Sequence, residues 1–182
     1  CEVADRIYFS RASTTAFAVE IHKSKDSIAP LSAGLQNDIK SLQLVLSGAD
    51  NYFWKKVREK YTMPNIVYTG FVNDEELVVL YKNACCFIMP SFEEGFGLPI
   101  LEAMVAGTPV VSSNAGSLKE VGGDAAIYFD PHDSNSMANK IQHVLRNVRL
   151  REELIKKGMM RVKKFSWKKM AEATLEVYNQ CM

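Results

Sequence analysis

Glu94 and Glu102 stand with seven residues between them, and the segment that separates them, Gly95-Phe96-Gly97-Leu98-Pro99-Ile100-Leu101, places two glycines ahead of a proline. Gly95 and Gly97 carry no Cβ, so main-chain N–H groups there can come close to a ligand. Pro99 suits a first helical turn, where its missing N–H costs nothing, and the unpaired N–H groups of that turn lie around it. A diphosphate placed at such a point meets N–H donors together with the positive end of the helix dipole. Glu102, three residues after Pro99, falls on the face that looks back toward the mouth of the loop, while Glu94 comes from the loop itself. Two carboxylates around one anion-friendly opening accept hydrogen bonds from sugar hydroxyls. A ligand with a ribose, a diphosphate and a hexose in a row fits that division of labour. Each feature also has a plain structural reading: a glutamate early in a helix is a dipole partner, and Gly-x-Gly alone is a weak motif.

The elements that must hold this segment alternate. Apolar runs of strand length, rich in β-branched and aromatic residues, occur at 15–20, 42–46, 66–69, 85–89, 110–112 and 127–129. Most are continuous rather than alternating, as in strands buried on both faces of a parallel sheet. Between them, helical periodicity covers 28–39, 52–60, 74–83, 98–106 and 117–121. The pattern predicts an α/β fold: a Rossmann-like, doubly wound parallel sheet of about six strands with helices on both faces. Asn73 is an N-cap candidate with Asp74, Glu75 and Glu76 in the first turn behind it, and Gly107 with Pro109 stops the 98–106 helix. After residue 129 no strand is expected, only a helical segment near 134–146, 149–164 and 167–180. The glutamate loop therefore sits between a buried strand and a helix, where open α/β sheets bind ligands.

The 182 residues fit one domain and can bury a real core. With 47% hydrophobic and 24% charged residues the composition is that of an ordinary globular protein. A net charge of +1 argues against nucleic acid as the main partner. No apolar run approaches the ~20 residues that span a bilayer, and the start has no signal-peptide pattern. A cytoplasmic location is the expectation. Cys1, Cys85, Cys86 and Cys181 lack metal-ligand spacing, and His132 and His143 have no ligand-spaced partners, so no metal site is expected. Cys85 and Cys86 read as small side chains in or near the core. Lys156, Lys157, Arg161, Lys163, Lys164, Lys168 and Lys169 form a basic run that can touch an anionic membrane surface, although a solvated helix face is the favoured reading. Residues 1–13 are weakly patterned and read as a tail or the end of an interdomain connection. The chain begins with Cys1 rather than Met, which points to a piece of something longer.

The run Ser91-Phe92-Glu93-Glu94-Gly95-Phe96-Gly97-Leu98-Pro99-Ile100-Leu101-Glu102-Ala103-Met104, continued by Gly107-Thr108-Pro109-Val110-Val111, resembles the nucleotide-sugar domain of family 4 (group 1) retaining glycosyltransferases of the GT-B fold. Glu94 and Glu102 match that family's Glu-x7-Glu motif. Further matches run through Gly70-Phe71-Val72-Asn73-Asp74-Glu75-Glu76-Leu77, Leu80-Tyr81-Lys82-Asn83-Ala84, Ser117-Leu118-Lys119-Glu120-Val121, Phe129-Asp130-Pro131-His132-Asp133 and Phe165-Ser166-Trp167, so the resemblance covers about residues 40–180. It implies the C-terminal, donor-binding domain of a GT-B enzyme, with the acceptor held by an N-terminal domain in cis or as a separate subunit.

The resemblance further implies that Glu94 contacts the transferred sugar and is catalytic, and that Glu102 holds the ribose hydroxyls. The main chain around Gly95, Phe96, Gly97 and Leu98 would take the phosphates and sugar. Phe71 and Val72 would border the base. A nucleoside-diphosphate sugar is the donor substrate, with no cofactor or metal. The basic glycine loop of the family matches 17–26, where Lys25 aligns with the family's lysine but Val19 or Glu20 stands where glycine and arginine are expected. An acid there repels a diphosphate, unless His22 or Lys23 substitutes. An epimerase or phosphorylase relative is disfavoured by the run around the two glutamates. A donor-binding module without turnover is the non-enzyme alternative.

Overall fold

The computed structural model describes residues 42–48 and 51–181. The strand expected at 15–20, the helix expected at 28–39 and the basic loop with Val19, Glu20, His22, Lys23 and Lys25 lie outside the described residues. Five strands and seven α-helices follow one another: β1 (Leu44–Ser47), α1 (Tyr52–Lys60), β2 (Ile66–Gly70), α2 (Asp74–Asn83), β3 (Phe87–Met89), α3 (Leu98–Val105), β4 (Val110–Ser113), α4 (Leu118–Gly122), β5 (Ala126–Phe129), α5 (Ser134–Arg146), α6 (Val148–Arg161) and α7 (Trp167–Gln180). Short 3₁₀ turns at Gly123–Ala125 and Val162–Lys164 join α4 to β5 and α6 to α7.

Among the described residues all strand pairing is parallel, in two ladders: β1 beside β2, and β3, β4, β5 in that order. Both faces of the second ladder are covered. Phe87 and Met89 point into one apolar cluster with Ile100, Leu101 and Met104 of α3, while Cys86 and Ile88 enter another with Val144 of α5 and Leu154 of α6. Burial on both sides explains why these strands read as unbroken apolar runs. The chain thus adopts the α/β architecture expected of it, with parallel strands and flanking helices.

Local chemistry fixes the helix ends that matter for the site. Asn73 Oδ1 accepts from the Glu76 amide at 2.9 Å, and Glu76 Oε2 accepts from the Asn73 amide at 2.8 Å, a reciprocal capping box. α3 has no side-chain cap. It begins at Gly97 in the left-handed region, φ 93°, with Pro99 in its first turn. Pro99, Ile100, Leu101, Ala103 and Met104 are all buried, as expected of a helix apolar around its whole circumference. Glu102 is the single charged residue in it.

Candidate functional site

Three loops leave the C-terminal ends of β3, β4 and β5, and they lock together. The first carries Ser91 to Gly97. Ser113 at the end of β4 donates its hydroxyl to the Ser91 carbonyl at 2.6 Å. Ser117, just ahead of α4, donates its hydroxyl to the carbonyls of Glu94 at 3.2 Å and Phe96 at 3.0 Å. From the third loop, His132 meets the Phe92 ring at 5.1 Å, its own amide donating to Asp130 Oδ1.

Two glycines let the first and second loops approach. A Cβ on Gly97 would stand 2.5 Å from Leu118 Cδ2, and one on Gly116, φ 52°, would stand 2.6 Å from the Glu94 carbonyl oxygen. Neither position admits another residue without moving the loop. Gly95 differs, because among the described residues nothing but its chain neighbours lies within 4 Å of its Cβ direction. Its missing side chain leaves space on the outside of the loop, where a ligand would approach the main chain.

The two glutamates occupy different surroundings. Glu94 is half-buried, its main chain pinned by Ser117. Glu102 is 3% exposed, and the hydroxyl of Tyr81 donates to its Oε2 at 3.2 Å. The spacing puts Glu102 on the face of α3 that looks back toward the loop mouth; in the structure its carboxylate is buried beside Tyr81 of α2. Burial, with the Glu102 carboxylate beside it, pushes the Tyr81 hydroxyl well above the usual phenol range, so it stays a protonated donor. A buried charge in an apolar helix is costly unless it is hydrogen-bonded, and the Tyr81 hydroxyl supplies such a bond to Glu102.

Of the remaining expected residues, Phe96 and Leu98 flank α3's start, with Phe96 43% exposed. Phe71 is 67% exposed and Val72 half-buried in the turn between β2 and α2. That turn follows the C-terminal end of β2, as the glutamate loop follows the C-terminal end of β3 in the other ladder. Sequence reasoning assigned no role to Tyr81 or Ser117. Tyr81 is the one buried residue of α2, and a hydroxyl-bearing aromatic at a core position is the signal that could have marked it.

An open apolar cavity of about 490 Å³ lies on the Phe96 side of the loop, lined by Leu98, Leu101, Phe165, Trp167 and Met170 with Lys164 and Ser166. Its walls offer a diphosphate little to bind, so it is distinct in character from the polar edge at Gly95. Among the described residues no group of three or more His, Cys, Asp or Glu side chains is placed to hold a metal ion, and no helix is long and apolar enough to cross a membrane.

Residues 20–161 match the family model described as glycosyl transferases group 1. The chain belongs to that family. It is 42% identical over 139 residues to the O-antigen chain mannosyltransferase B of Escherichia coli, covering 74% of this chain and 36% of that protein. It is 36% identical over 146 residues to the MMP alpha-(1->4)-mannosyltransferase of Mycolicibacterium hassiacum, covering 78% and 36%. The chain therefore spans about a third of the length of these relatives. Among solved structures, the sucrose-phosphate synthase of Thermosynechococcus elongatus superposes with a TM-score of 0.67 at 30% identity, over 76% of this chain and 38% of that one. The C-terminal domain of a group 1 glycosyl transferase from Francisella tularensis gives 0.51 at 27% identity, over 61% and 58%. The fold is accordingly that of a GT-B C-terminal domain.

Proposed function

We propose that this chain is the donor-binding part of a retaining glycosyltransferase that moves a hexosyl group, mannose being the first candidate, from a nucleoside diphosphate to an acceptor in glycan synthesis. The observation that carries this reading is the interlocked loop at the C-terminal end of β3, where the exposed Gly95 main chain and the uncapped start of α3 stand between Glu94 and Glu102. The mannosyl assignment rests on the activities named for the two relatives of 42% and 36% identity. Acceptor binding would belong to a further domain, in cis or as a partner subunit, and the reaction to the cytoplasm. Lys25 would add a cation for the diphosphate.

During transfer the bond from the sugar's anomeric carbon to the diphosphate breaks, and its electron pair leaves with the diphosphate. Donors already aimed at the developing charge lower that barrier without reorganising, which is what the first turn of α3 offers. Glu94, reaching outward ahead of the glycines, would bind the hexose, and Glu102 the ribose. A second reading, donor binding without turnover, draws on Glu20, an acid where the family carries a basic loop.

Calorimetry of the chain with nucleoside diphosphates and their mannose conjugates tests the reading. A lost hydrogen bond to a charged group costs about 1.5–3 kcal/mol, roughly ten- to a hundredfold in affinity. Glu102→Gln should weaken both ligands, and Glu94→Gln the conjugate alone. Equal losses for Glu94→Gln on both ligands would refute its assignment, and no loss for either variant would return both glutamates to structural roles.

A further inference from the structure

Glu102 is a side chain whose usefulness depends on where its carboxylate points. Its side-chain neighbours along α3 are apolar. One aiming group comes from α2. Tyr81 is 1% exposed and held at three points: its ring packs edge-on against Phe87 at 5.4 Å, its carbonyl accepts from the Thr108 hydroxyl, and its own hydroxyl donates to Glu102 Oε2. A phenol fixed in this way has little freedom left, so the oxygen it presents to Glu102 is a stationary donor.

We propose that Tyr81 is a positioning residue for donor recognition: its hydroxyl fixes the Glu102 carboxylate in the orientation that receives the ribose hydroxyls of the nucleotide. The inference rests on the reading of Glu102 given above. A carboxylate offers about four acceptor sites, and Tyr81 takes one of them. A neutral donor suits this task better than a lysine or arginine would. It orients the carboxylate without cancelling its charge, which keeps the strong charge-assisted bond for the incoming hydroxyl. Thr108 and Phe87, through Tyr81, then connect the turn ahead of β4 and the start of β3 to the recognition of a sugar neither touches. α2 also begins at the turn carrying Phe71 and Val72, so one helix carries both the base-side turn and the residue that aims at the ribose.

The test compares uridine, guanosine and adenosine diphosphates with their 2′-deoxy counterparts, titrated by calorimetry into the full 182-residue chain and three variants. The parent is expected to bind at least one ribonucleoside diphosphate more tightly than its deoxy form. Tyr81→Phe keeps the ring and loses only the hydroxyl. It should lower affinity for the ribose form about three- to tenfold, the net worth of one ordinary hydrogen bond, and leave the deoxy form unchanged, so that discrimination shrinks. Phe87→Leu, which loosens the packing but keeps the hydroxyl, should lower the thermal midpoint and leave discrimination intact, an outcome that a merely structural Tyr81 would not separate from the first. If Tyr81→Phe binds both forms like the parent while Glu102→Gln loses the ribose form, the positioning role is overturned and the reading of Glu102 stands. If Glu102→Gln also binds like the parent, or if the parent binds none of the three diphosphates, both are overturned.

Discussion

Ser117 holds Glu94 by its main chain: the carbonyl of Glu94 accepts from both the hydroxyl and the amide of Ser117, at 3.2 and 3.5 Å. The bonds from Ser117 go to the Glu94 backbone and not to its carboxylate. The loop is thus held in register through the peptide of Glu94 rather than through its carboxylate. Ser117→Ala removes the hydroxyl bonds to Glu94 and Phe96 together. Expected is a stability loss of about 1 kcal/mol, together with a several-fold weaker affinity for the nucleoside-diphosphate sugar. Urea unfolding and calorimetry on the same preparation read both, and an unchanged affinity would mean that the loop holds its shape without Ser117.

The glycines of the loops should separate into two kinds. At Gly116 an alanine meets the Glu94 carbonyl at 2.6 Å and also pays for a left-handed backbone, φ 52°. Gly116→Ala should cost about 2 kcal/mol or more, from the conformation and the clash together. Gly95→Ala adds a methyl where, among the described residues, nothing but the chain neighbours lies within 4 Å. Its midpoint should match the parent, while its affinity for the donor drops. Loss of stability in Gly95→Ala without loss of binding would show that the open space beside Gly95 is not the ligand's.

These distinctions mark how much could be read from residues alone. The capping box of Asn73 and Glu76 is local, and α2 spans the residues its pattern predicted. The same holds for α7, whose N-cap Ser166 accepts from the Lys169 amide at 3.1 Å. The helix expected at 149–164 begins one residue earlier, because Asn147 caps it, and tightens to a 3₁₀ turn after Arg161. The strand expected at 85–89 is shorter at its start, Phe87–Met89, although Cys86 is as buried as the strand that follows it. A run of apolar residues reports burial, not pairing. The division of the described strands into two ladders was equally invisible, since lateral order leaves no periodic signal. The bonds from Tyr81 to Glu102 and from Ser117 to Glu94 link residues 21 and 23 positions apart. The sequence pattern found the glutamates through their spacing, but the groups that hold them come from other elements, and only the fold brings those together.

Stability should fall in alkali, and Cys86 should be a principal reason. The thiol is fully buried and pushed from 9.0 up to about 12, first by burial and then by Cys85, with Arg151 opposing. Because the folded pKa lies above the unfolded one, the unfolded chain sheds this proton first, and the stabilisation present below pH 9 is lost as pH rises toward 12. Tyr128, moved from 10.0 to about 12 chiefly by burial, joins one unit later. One proton of difference is worth about 1.4 kcal/mol per pH unit. Urea midpoints measured from pH 8 to 11 should therefore decline, and Cys86→Ala should flatten the part between about 9 and 10 whatever its effect on absolute stability. Parallel slopes in parent and variant would remove Cys86 from the account.

Arg161 closes the circuit of contacts behind the site. It lies at the end of α6, and its Nε donates to the Val121 carbonyl at 2.9 Å while Nη2 donates to the Glu120 carbonyl. Both carbonyls sit in the last turn of α4, a helix of only five residues that cannot satisfy its own C-terminal groups. The same guanidinium lies over the Phe165 ring at 5.3 Å, and Phe165 meets Phe96 edge-on at 5.9 Å. One side chain thus supports the end of α4, whose start carries Ser117, and the aromatic contact that backs the glycine loop. Arg161→Met keeps the apolar stem and removes every donor. It should lower stability by about 1.5–3 kcal/mol, the worth of bonds from a charged group, and weaken donor binding through the loop. Arg161→Lys keeps the charge but not the planar fork that reaches two carbonyls at once, so it should fall between the parent and Arg161→Met. Thermal unfolding and calorimetry of the three proteins give the ordering. If Arg161→Met matches the parent in midpoint, the α4 carbonyls are served by water and the circuit through Arg161 carries no load; if its midpoint drops and donor affinity does not, α4 is held for the fold alone.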